Sequence, residues 1–211
     1  MIVATATDGA IGFDTATPLT AAVCESLVAF GNSFAVRYVS HAAAEDRDLT
    51  ATEVDLIVAS GLALMLVVHP PVPGWTPTAA LGVSHAKAAV ANMPTNVLPS
   101  VTVWCDLEGL AKTPSGIVCA YVNSWSAIIK GAGFEPGLYV GYDTWLTGTQ
   151  LYENLTLNRY WKSASAVPSP SPRGWCMQQQ IMASPLAGIS IDRDSIAADA
   201  LGGLPTWLVA G

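Results

Sequence analysis

The chain of 211 residues carries nine Lys and Arg against sixteen Asp and Glu, a formal net charge of -7, and only 12% of its residues are charged. Its 51% of apolar residues excludes a disordered chain, and its length suits one domain, predicted over residues 1–211. An acidic chain without a basic run is predicted to bind neither nucleic acid nor an anionic membrane surface.

The sequence shows no segment that predicts insertion in a membrane or secretion. The longest apolar run, Leu62 to Val68, is far shorter than the roughly 18 residues that a spanning helix needs. The first residues hold no basic segment, so we expect no secretory signal, but synthesis in the cytoplasm with phage-type release to the cell wall. The scattered cysteines are interpreted as small buried hydrophobic residues: Cys24, Cys105, Cys119 and Cys176.

Short β-rich runs alternate along the chain with longer Ala-rich stretches. The predicted strands are 12–17, 33–40, 62–70, 100–109, 137–143, 158–165, 174–180 and 188–196. The predicted helices are 18–30, 49–60, 77–92, 114–130 and 148–155. Thr17 is the expected N-cap of the first helix, with Pro18 after it, and Thr50 with Glu53 forms a capping box for the second.

Strands that alternate with helices form right-handed βαβ units around a parallel sheet. Eight strands in 211 residues therefore predict an α/β fold, a single compact (β/α)8 barrel of the TIM type. The helices after the sixth and seventh strands are predicted to be short or missing. An open doubly wound sheet is the alternative, although the chain has no GxGxxG or GxxxxGK[ST] motif to support a nucleotide-binding fold.

The active sites of such barrels lie at the carboxyl ends of the strands. Nearly every predicted strand here ends in an ionisable or amide side chain, although the chain is poor in charge. The candidate catalytic residues are Asp14, Asp106, Glu108 and Asp192. The candidate substrate-binding residues are Arg37, Tyr38, His69, Tyr142, Trp161 and Gln178, and tryptophans able to stack on a sugar are Trp75, Trp145 and Trp161.

Asp106 and Glu108 form the most informative pair. Because positions i and i+2 of a strand share a face, both carboxylates are predicted to point into the barrel mouth, while Cys105 and Leu107 face the helices. Crowded carboxylates have their pKa values pushed apart, and glycoside hydrolysis needs such an acid beside an ionised partner. The alternative is a pair that caps the next helix and binds loop amides.

Asp14 and Asp192 belong to the first and last strands, which are neighbours in a closed barrel. They should therefore lie side by side, across the mouth from Asp106 and Glu108. The same carboxylates are also suited to a hard cation, but the histidines lack zinc-ligand spacing and no GxSxG elbow supports a serine triad. We predict neither a metal nor a cofactor.

Seven motifs follow one another in a characteristic order and spacing: GFD (12–14), VRYVS (36–40), LTATEVDLIVASGL (49–62), WCDLEG (104–109), GLYVGYDTW (137–145), WCMQQ (175–179) and ISIDRD (189–194). From about residue 11 to 196, the chain thereby resembles the glycoside-hydrolase-like family of unknown function. That family is related to the family-25 glycoside hydrolases, the Chalaropsis-type lysozymes.

The resemblance implies an eight-stranded barrel that hydrolyses the β-1,4 bond after N-acetylmuramic acid in peptidoglycan. By position it implies that Glu108 is the proton donor, that Asp106 assists it, and that Asp14 matches the first-strand Asp of the lysozymes. The late Asp of their V-D-L-N signature falls on Asp192. Asp194 stands where they have Asn, and so adds a negative charge to the mouth.

Two further pairs match one family or the other. Trp175 with Gln178 resembles the W-Q strand of the lysozymes, whereas Arg37 with Tyr38 matches the uncharacterised family. The leading hypothesis is a monomeric peptidoglycan glycosidase, of a kind that would fit a phage or prophage lytic protein. The alternative is a barrel of the same fold that binds glycan without cutting it or forms part of a phage particle.

Overall fold

The computed structural model describes residues 1–211, except for the side chains of residues 181–184. Its elements are β1 (Ile2–Thr5), β2 (Ile11–Thr15), α1 (Ala21–Ala29), β3 (Phe34–Val39), α2 (Ala51–Ala59), β4 (Ala63–Val68), α3 (Ala79–Asn92), β5 (Thr102–Leu107), α4 (Ser115–Gly131), β6 (Glu135–Val140), α5 (Gly148–Glu153), β7 (Tyr160–Lys162), β8 (Met177–Leu186), β9 (Ile189–Ile196) and β10 (Thr206–Val209). Of the helices in this description, none combines the length and apolar character required to cross a membrane.

Eight of these strands close into a barrel in the order β4-β3-β2-β9-β8-β7-β6-β5, and β5 pairs again with β4. Strand β4 shows why its residues suit this position. Met65 and Val67 belong to the apolar cluster inside the barrel, whereas Leu64 and Leu66 pack in the layer between the barrel and the helices. The predicted TIM-type barrel is confirmed, and no helix separates β7 from β8 or β8 from β9.

The last barrel strand differs from the prediction in its direction. Strand β9 is antiparallel to both of its neighbours, β2 and β8, so the sheet is not wholly parallel. The two residues between β8 and β9, Ala187 and Gly188, both have positive φ values of 53° and 80°. Two such residues make the tight turn of a hairpin, whereas a parallel connection needs a dozen residues or more.

The amino end of the barrel is covered by two strands that the sequence did not predict. Strand β10 pairs antiparallel with both β1 and β4. It carries Trp207, which packs against Phe34 at the base of the barrel interior with a ring-centroid distance of 5.9 Å. A cavity of about 350 Å³ lies at this end, between the antiparallel pair of β1 and β10 and the first residues of the barrel strands.

The helix starts follow local capping chemistry. Helix α1 begins after Thr20, whose hydroxyl accepts from the Val23 N–H, and not after Thr17 as predicted. Thr50 caps α2 as predicted and accepts from the Glu53 N–H. The Glu53 carboxylate does not complete the capping box, because it accepts hydrogen bonds from the Arg37 guanidinium and the Leu19 N–H instead.

Candidate active site

The four candidate catalytic carboxylates meet at one end of the barrel. Asp14 on β2 is the cross-strand partner of Asp192 on β9, which confirms that these two residues are neighbours. Asp106 on β5 is close enough to both Glu108 and Asp14 for their charges to raise its pKa, which places it at the same end of the barrel. Because β9 runs antiparallel, Asp192 reaches this end from the first half of its strand.

Asp106 lies on the interior face of β5, and Glu108 directly follows the strand. Their neighbours Cys105 and Leu107 pack in the outer layer, against the helices. Asp106 is 7% exposed, and its Oδ1 atom has no hydrogen-bond partner among the described residues. Burial, together with the charges of Glu108 and Asp14, raises the pKa of Asp106 well above its ordinary value.

Glu108 is the more accessible member of this pair. It is half-buried, and burial raises the pKa of its carboxyl. Its backbone carbonyl accepts the Trp75 indole N–H at 3.0 Å, which fixes the chain at this point. Gly141, directly after the neighbouring strand β6, leaves room for it, because a Cβ atom there would lie 2.3 Å from the Glu108 Cβ and 2.6 Å from Oε2.

Asp14 is held by donors from two other strands. The Tyr38 hydroxyl donates to its Oδ1 at 3.0 Å, and the Gln179 amide donates to its Oδ2 at 2.8 Å. The side chain is only 3% exposed. Burial raises the pKa of Asp14 to about 6, and these two donors act in the opposite direction because they favour its ionised form.

Gln179 connects this network across the barrel. Its amide also donates to Asp192 Oδ2 at 3.3 Å, and its Oε1 atom accepts the Tyr139 hydroxyl at 2.9 Å. Asp192 is partly exposed, and burial raises its pKa. A pocket of about 220 Å³ opens beside these groups, lined by Asp14, Thr15, Ala16, Thr17, Tyr38, Ser190, Ile191 and Asp192.

Gln178 on β8 was predicted to bind substrate, and the structure corrects this prediction. Gln178 is exposed on the outer side of the strand, whereas Gln179 faces the barrel and binds Asp14. Successive side chains of a strand point to opposite faces, so an error of one residue moves the functional group out of the site. The run of three glutamines, Gln178 to Gln180, offered no compositional means of choosing between them.

A matched pair of substitutions tests this register. Gln179→Ala removes the hydrogen bonds that Gln179 makes with the buried residues Asp14 and Tyr139. This change is expected to lower the free energy of unfolding by about 1–3 kcal/mol. Gln178→Ala removes an exposed side chain and is expected to change it by less than about 0.5 kcal/mol. Denaturant unfolding of both variants measures the difference, and equal losses would contradict the assignment.

Arg37 was predicted to bind substrate, and the structure corrects this interpretation. Its side chain is fully buried and points away from the mouth, into the layer between the barrel and α2. The guanidinium pairs with Glu53 at 2.6 Å and also donates to the carbonyls of Thr15 and Arg47. A ligand at the mouth cannot reach it, and its role is to hold the end of β2 against α2.

Trp161 is likewise not a surface on which a sugar can stack. It is 1% exposed and packs edge-to-face against Trp104 and Tyr139 inside the barrel. Its indole N–H donates to Asp194 Oδ1 at 3.0 Å. Asp194 is 1% exposed and lies beneath the mouth, at the cross-strand position opposite Gly12.

The remaining predicted binding residues lie around the mouth. The His69 ring stacks on that of Tyr38 with a centroid distance of 4.3 Å, and burial lowers the pKa of His69 to about 4, so it is neutral at pH 7. Tyr142 is 41% exposed, and its carbonyl accepts from the N–H of Gly109, next to Glu108. Trp145 is equally exposed, and its indole N–H donates a hydrogen bond to the Leu110 carbonyl.

The residues that the sequence analysis missed are those that organise the carboxylates. Gln179 and Tyr139 bridge the site, and Gly141 makes space for Glu108. Within the described part of the chain, no group of three or more His, Cys, Asp or Glu side chains is arranged to hold a metal ion. The free cysteines are all buried, as predicted.

A family model described as "Rv2525c-like, glycoside hydrolase-like domain" matches residues 25–196. The chain belongs to this family. The matched part of the Rv2525c-like domain contains Asp106, Glu108 and Asp192, whereas Asp14 precedes it. A comparison with curated proteins finds no match.

Solved structures share the fold of this Rv2525c-like domain at low sequence identity. The Tat-secreted protein Rv2525c of Mycobacterium tuberculosis, in complex with HEPES, gives a TM-score of 0.65 at 17% identity over 89% of this chain and 95% of that chain. The bacterial lysozyme of Streptomyces coelicolor gives 0.65 at 16% identity over 93% and 95%. The modular Cpl-1 endolysin, complexed with a peptidoglycan analogue, gives 0.62 at 11% identity over 92% and 56%.

Proposed function

We propose that this chain is a glycosidase of peptidoglycan that cleaves the β-1,4 bond after N-acetylmuramic acid, with Glu108 as the general acid. The observation that carries the proposal is the arrangement of carboxyls at the mouth. Half-buried Glu108 lies beside the more deeply buried Asp106, and Asp106 is close enough to the oriented Asp14 to feel its charge. The likeness in fold to a lysozyme and to an endolysin solved with a peptidoglycan analogue supports the choice of substrate.

The pair on β5 suits proton transfer. Burial raises the pKa of both carboxyls, and the charge of Glu108 raises that of Asp106 further, so the pair retains a proton at a pH where ordinary carboxyls are ionised. Glu108 is the member that reaches solvent, so it can give the proton to the glycosidic oxygen as the bond to the anomeric carbon breaks. The bonding electron pair leaves with that oxygen.

The opposite side of the mouth suits the positive charge that this step creates. Asp14 and Asp192 lie side by side there, next to the pocket of about 220 Å³. Fixed carboxylates stabilise an oxocarbenium-like centre without having to reorganise during the reaction. Water then adds to the anomeric carbon, and the proton that it releases returns to Glu108, which restores the acid.

A second function, glycan binding without cleavage, is favoured by one observation. Among the described residues, those that line the pocket beside Asp14 do not include Asp106 or Glu108. Its volume is below the roughly 300–1,000 Å³ of pockets that enclose a drug-sized ligand, so it fits one part of a glycan chain. A barrel of this kind would hold the glycan and leave it intact.

The two functions are separated by the products formed from purified cell walls. The purified protein is incubated with walls of more than one bacterial type, and the new reducing ends are reduced with borohydride and identified after acid hydrolysis. Reduced muramic acid supports the proposal, and reduced glucosamine would contradict the bond specificity. Co-sedimentation with walls and no new reducing ends would support binding alone. The doubly substituted Asp106→Asn, Glu108→Gln protein, purified in the same way, controls for contaminating hydrolases.

A further inference from the structure

One buried carboxyl beneath the mouth is not used by the proposed mechanism. Asp194 is 1% exposed and accepts a single hydrogen bond, from the Trp161 indole N–H to Oδ1. Its Oδ2 atom is buried without a partner among the described side chains. An ionised carboxylate in this position would be a nearly unsolvated charge with one donor, which is costly.

The surroundings of Asp194 increase this cost. Asp14 and Asp192 share its face of the sheet, because Asp194 pairs with Gly12, two residues before Asp14, and Asp14 pairs with Asp192, two residues before Asp194. The charges of both carboxylates raise the pKa of Asp194. Tyr139 on β6 and the Trp161 ring on β7 also face it, and neither carries a positive charge. Its closest charged groups are therefore carboxylates, while the buried Arg37 pairs with Glu53 in the outer layer.

We propose that Asp194 is a positioning residue that keeps its proton at neutral pH and donates it in a hydrogen bond to Asp14. Asp14 then accepts from Asp194 as well as from Tyr38 and Gln179, so its carboxylate is fixed by groups on three other strands. The proton satisfies the otherwise unpartnered Oδ2 atom of Asp194. Burial and the charge of Asp14 both raise the pKa of Asp194, in agreement with this assignment.

A neutral Asp194 differs in charge from what its sequence position predicted. From the sequence, Asp194 was expected to add a negative charge to the mouth. A protonated carboxyl has the shape and the hydrogen-bonding pattern of a primary amide, with one oxygen accepting from Trp161 and one donor facing Asp14. It adds no charge.

The substitution Asp194→Asn tests the protonation state directly. At pH 7 the wild-type infrared spectrum should contain the C=O band of a buried carboxylic acid that the variant lacks. The difference spectrum isolates Asp194 because Asp106 is present in both proteins. Asp46→Asn, a change at an exposed carboxylate, should remove no such band. Loss of ionised-carboxylate bands in the Asp194 variant, as in the Asp46 variant, would overturn the proposal.

The pH dependence of stability gives a second measurement. Below pH ~4 the residue is protonated in both the folded and the unfolded chain, so wild type and Asp194→Asn should be equally sensitive to pH. Above that value only the unfolded wild-type chain releases the proton. The folding constant of wild type should then fall about tenfold per pH unit relative to the variant, until the folded Asp194 titrates. A ratio that stays constant or rises with pH would contradict the proposal.

The consequence for catalysis rests on the proposed function, whereas the protonation state does not. Hydrolysis of cell walls should be lost to a greater extent in Asp194→Ala than in Asp194→Asn, because only Asn retains a donor for Asp14. If the wild-type protein releases no reducing ends, the proposed function fails, and the infrared and stability measurements still decide the state of Asp194. If the wild type is active and the Ala and Asn variants lose equal activity, the positioning role fails.

Discussion

Replacing Glu108 by Gln is expected to lower the rate of cell-wall hydrolysis by about 10²–10⁴-fold, the usual contribution of a positioned general acid. Gln keeps the size of the side chain and its place beside Gly141 but has no proton to give to a leaving oxygen. The variant should fold at least as well as wild type at pH 7, because burial already disfavours the ionised form of Glu108. Release of reducing ends and thermal unfolding measure the two effects separately.

The pH profile of hydrolysis by the wild-type protein should depend on the same carboxyls. On the acid side, activity should fall as Asp14 takes up a proton near its pKa of about 6. On the alkaline side it should fall as the pair of Asp106 and Glu108 loses the proton that Glu108 donates, and any residual activity of Glu108→Gln should lack this limb. Glu153→Gln, at an exposed position, is the matched control. Equal rates for Glu108→Gln and the control would reject Glu108 as the acid.

Much of the architecture was predictable because hydrophobic periodicity and turn residues mark strands and helices strongly. Strand β4 was evident as a continuous apolar run, and its residues are buried on both faces as such a run requires. The carboxylates on β5 were also predictable, because two residues separated by one position share a face whatever the strand pairs with. Local rules were sufficient in both cases.

The direction of β9 was predictable in principle but not from the strand bounds that the sequence suggested. Strand β8 was expected to end at residue 180, and it continues to Leu186. The true connection of two residues is too short for a crossover, and its Ala187–Gly188 sequence is a weak turn signal compared with Asn-Gly. Asp192 was still placed beside Asp14, because the ring closes between β2 and β9 in either direction.

The faces of Arg37 and Gln179 could not be derived, because both depend on partners distant in sequence. Strand β3 is buried on both sides, so its burial pattern does not show which face of it lines the barrel. The sequence signal for the position of Arg37 was Glu53, an acidic residue among the apolar residues of α2. The capping-box pattern gave Glu53 a local role and so concealed its distant partner. A cap requires only local contacts, whereas the ion pair with Arg37 exists only after β3 and α2 have packed together.

The buried ion pair of Arg37 and Glu53 should be one of the largest single contributors to stability that a substitution can remove. Arg37→Met would leave the Glu53 carboxylate, only 5% exposed, without its counter-charge. Breaking a buried pair by removing one partner typically costs about 3–5 kcal/mol. The Thr15 and Arg47 carbonyls would also lose a donor, which loosens the end of β2 next to Asp14.

A double substitution separates the charge from the packing. Glu53→Gln combined with Arg37→Met removes the uncompensated charge and keeps an acceptor for the Leu19 N–H, so the double variant should be more stable than Arg37→Met alone. The control is Arg47→Met, which breaks an exposed pair with Glu45 of the same 2.6 Å length. Exposed pairs contribute at most about 1 kcal/mol. Chemical denaturation of the four proteins measures these differences, and similar losses for Arg37→Met and Arg47→Met would show that Arg37 does not stabilise the fold through its buried charge.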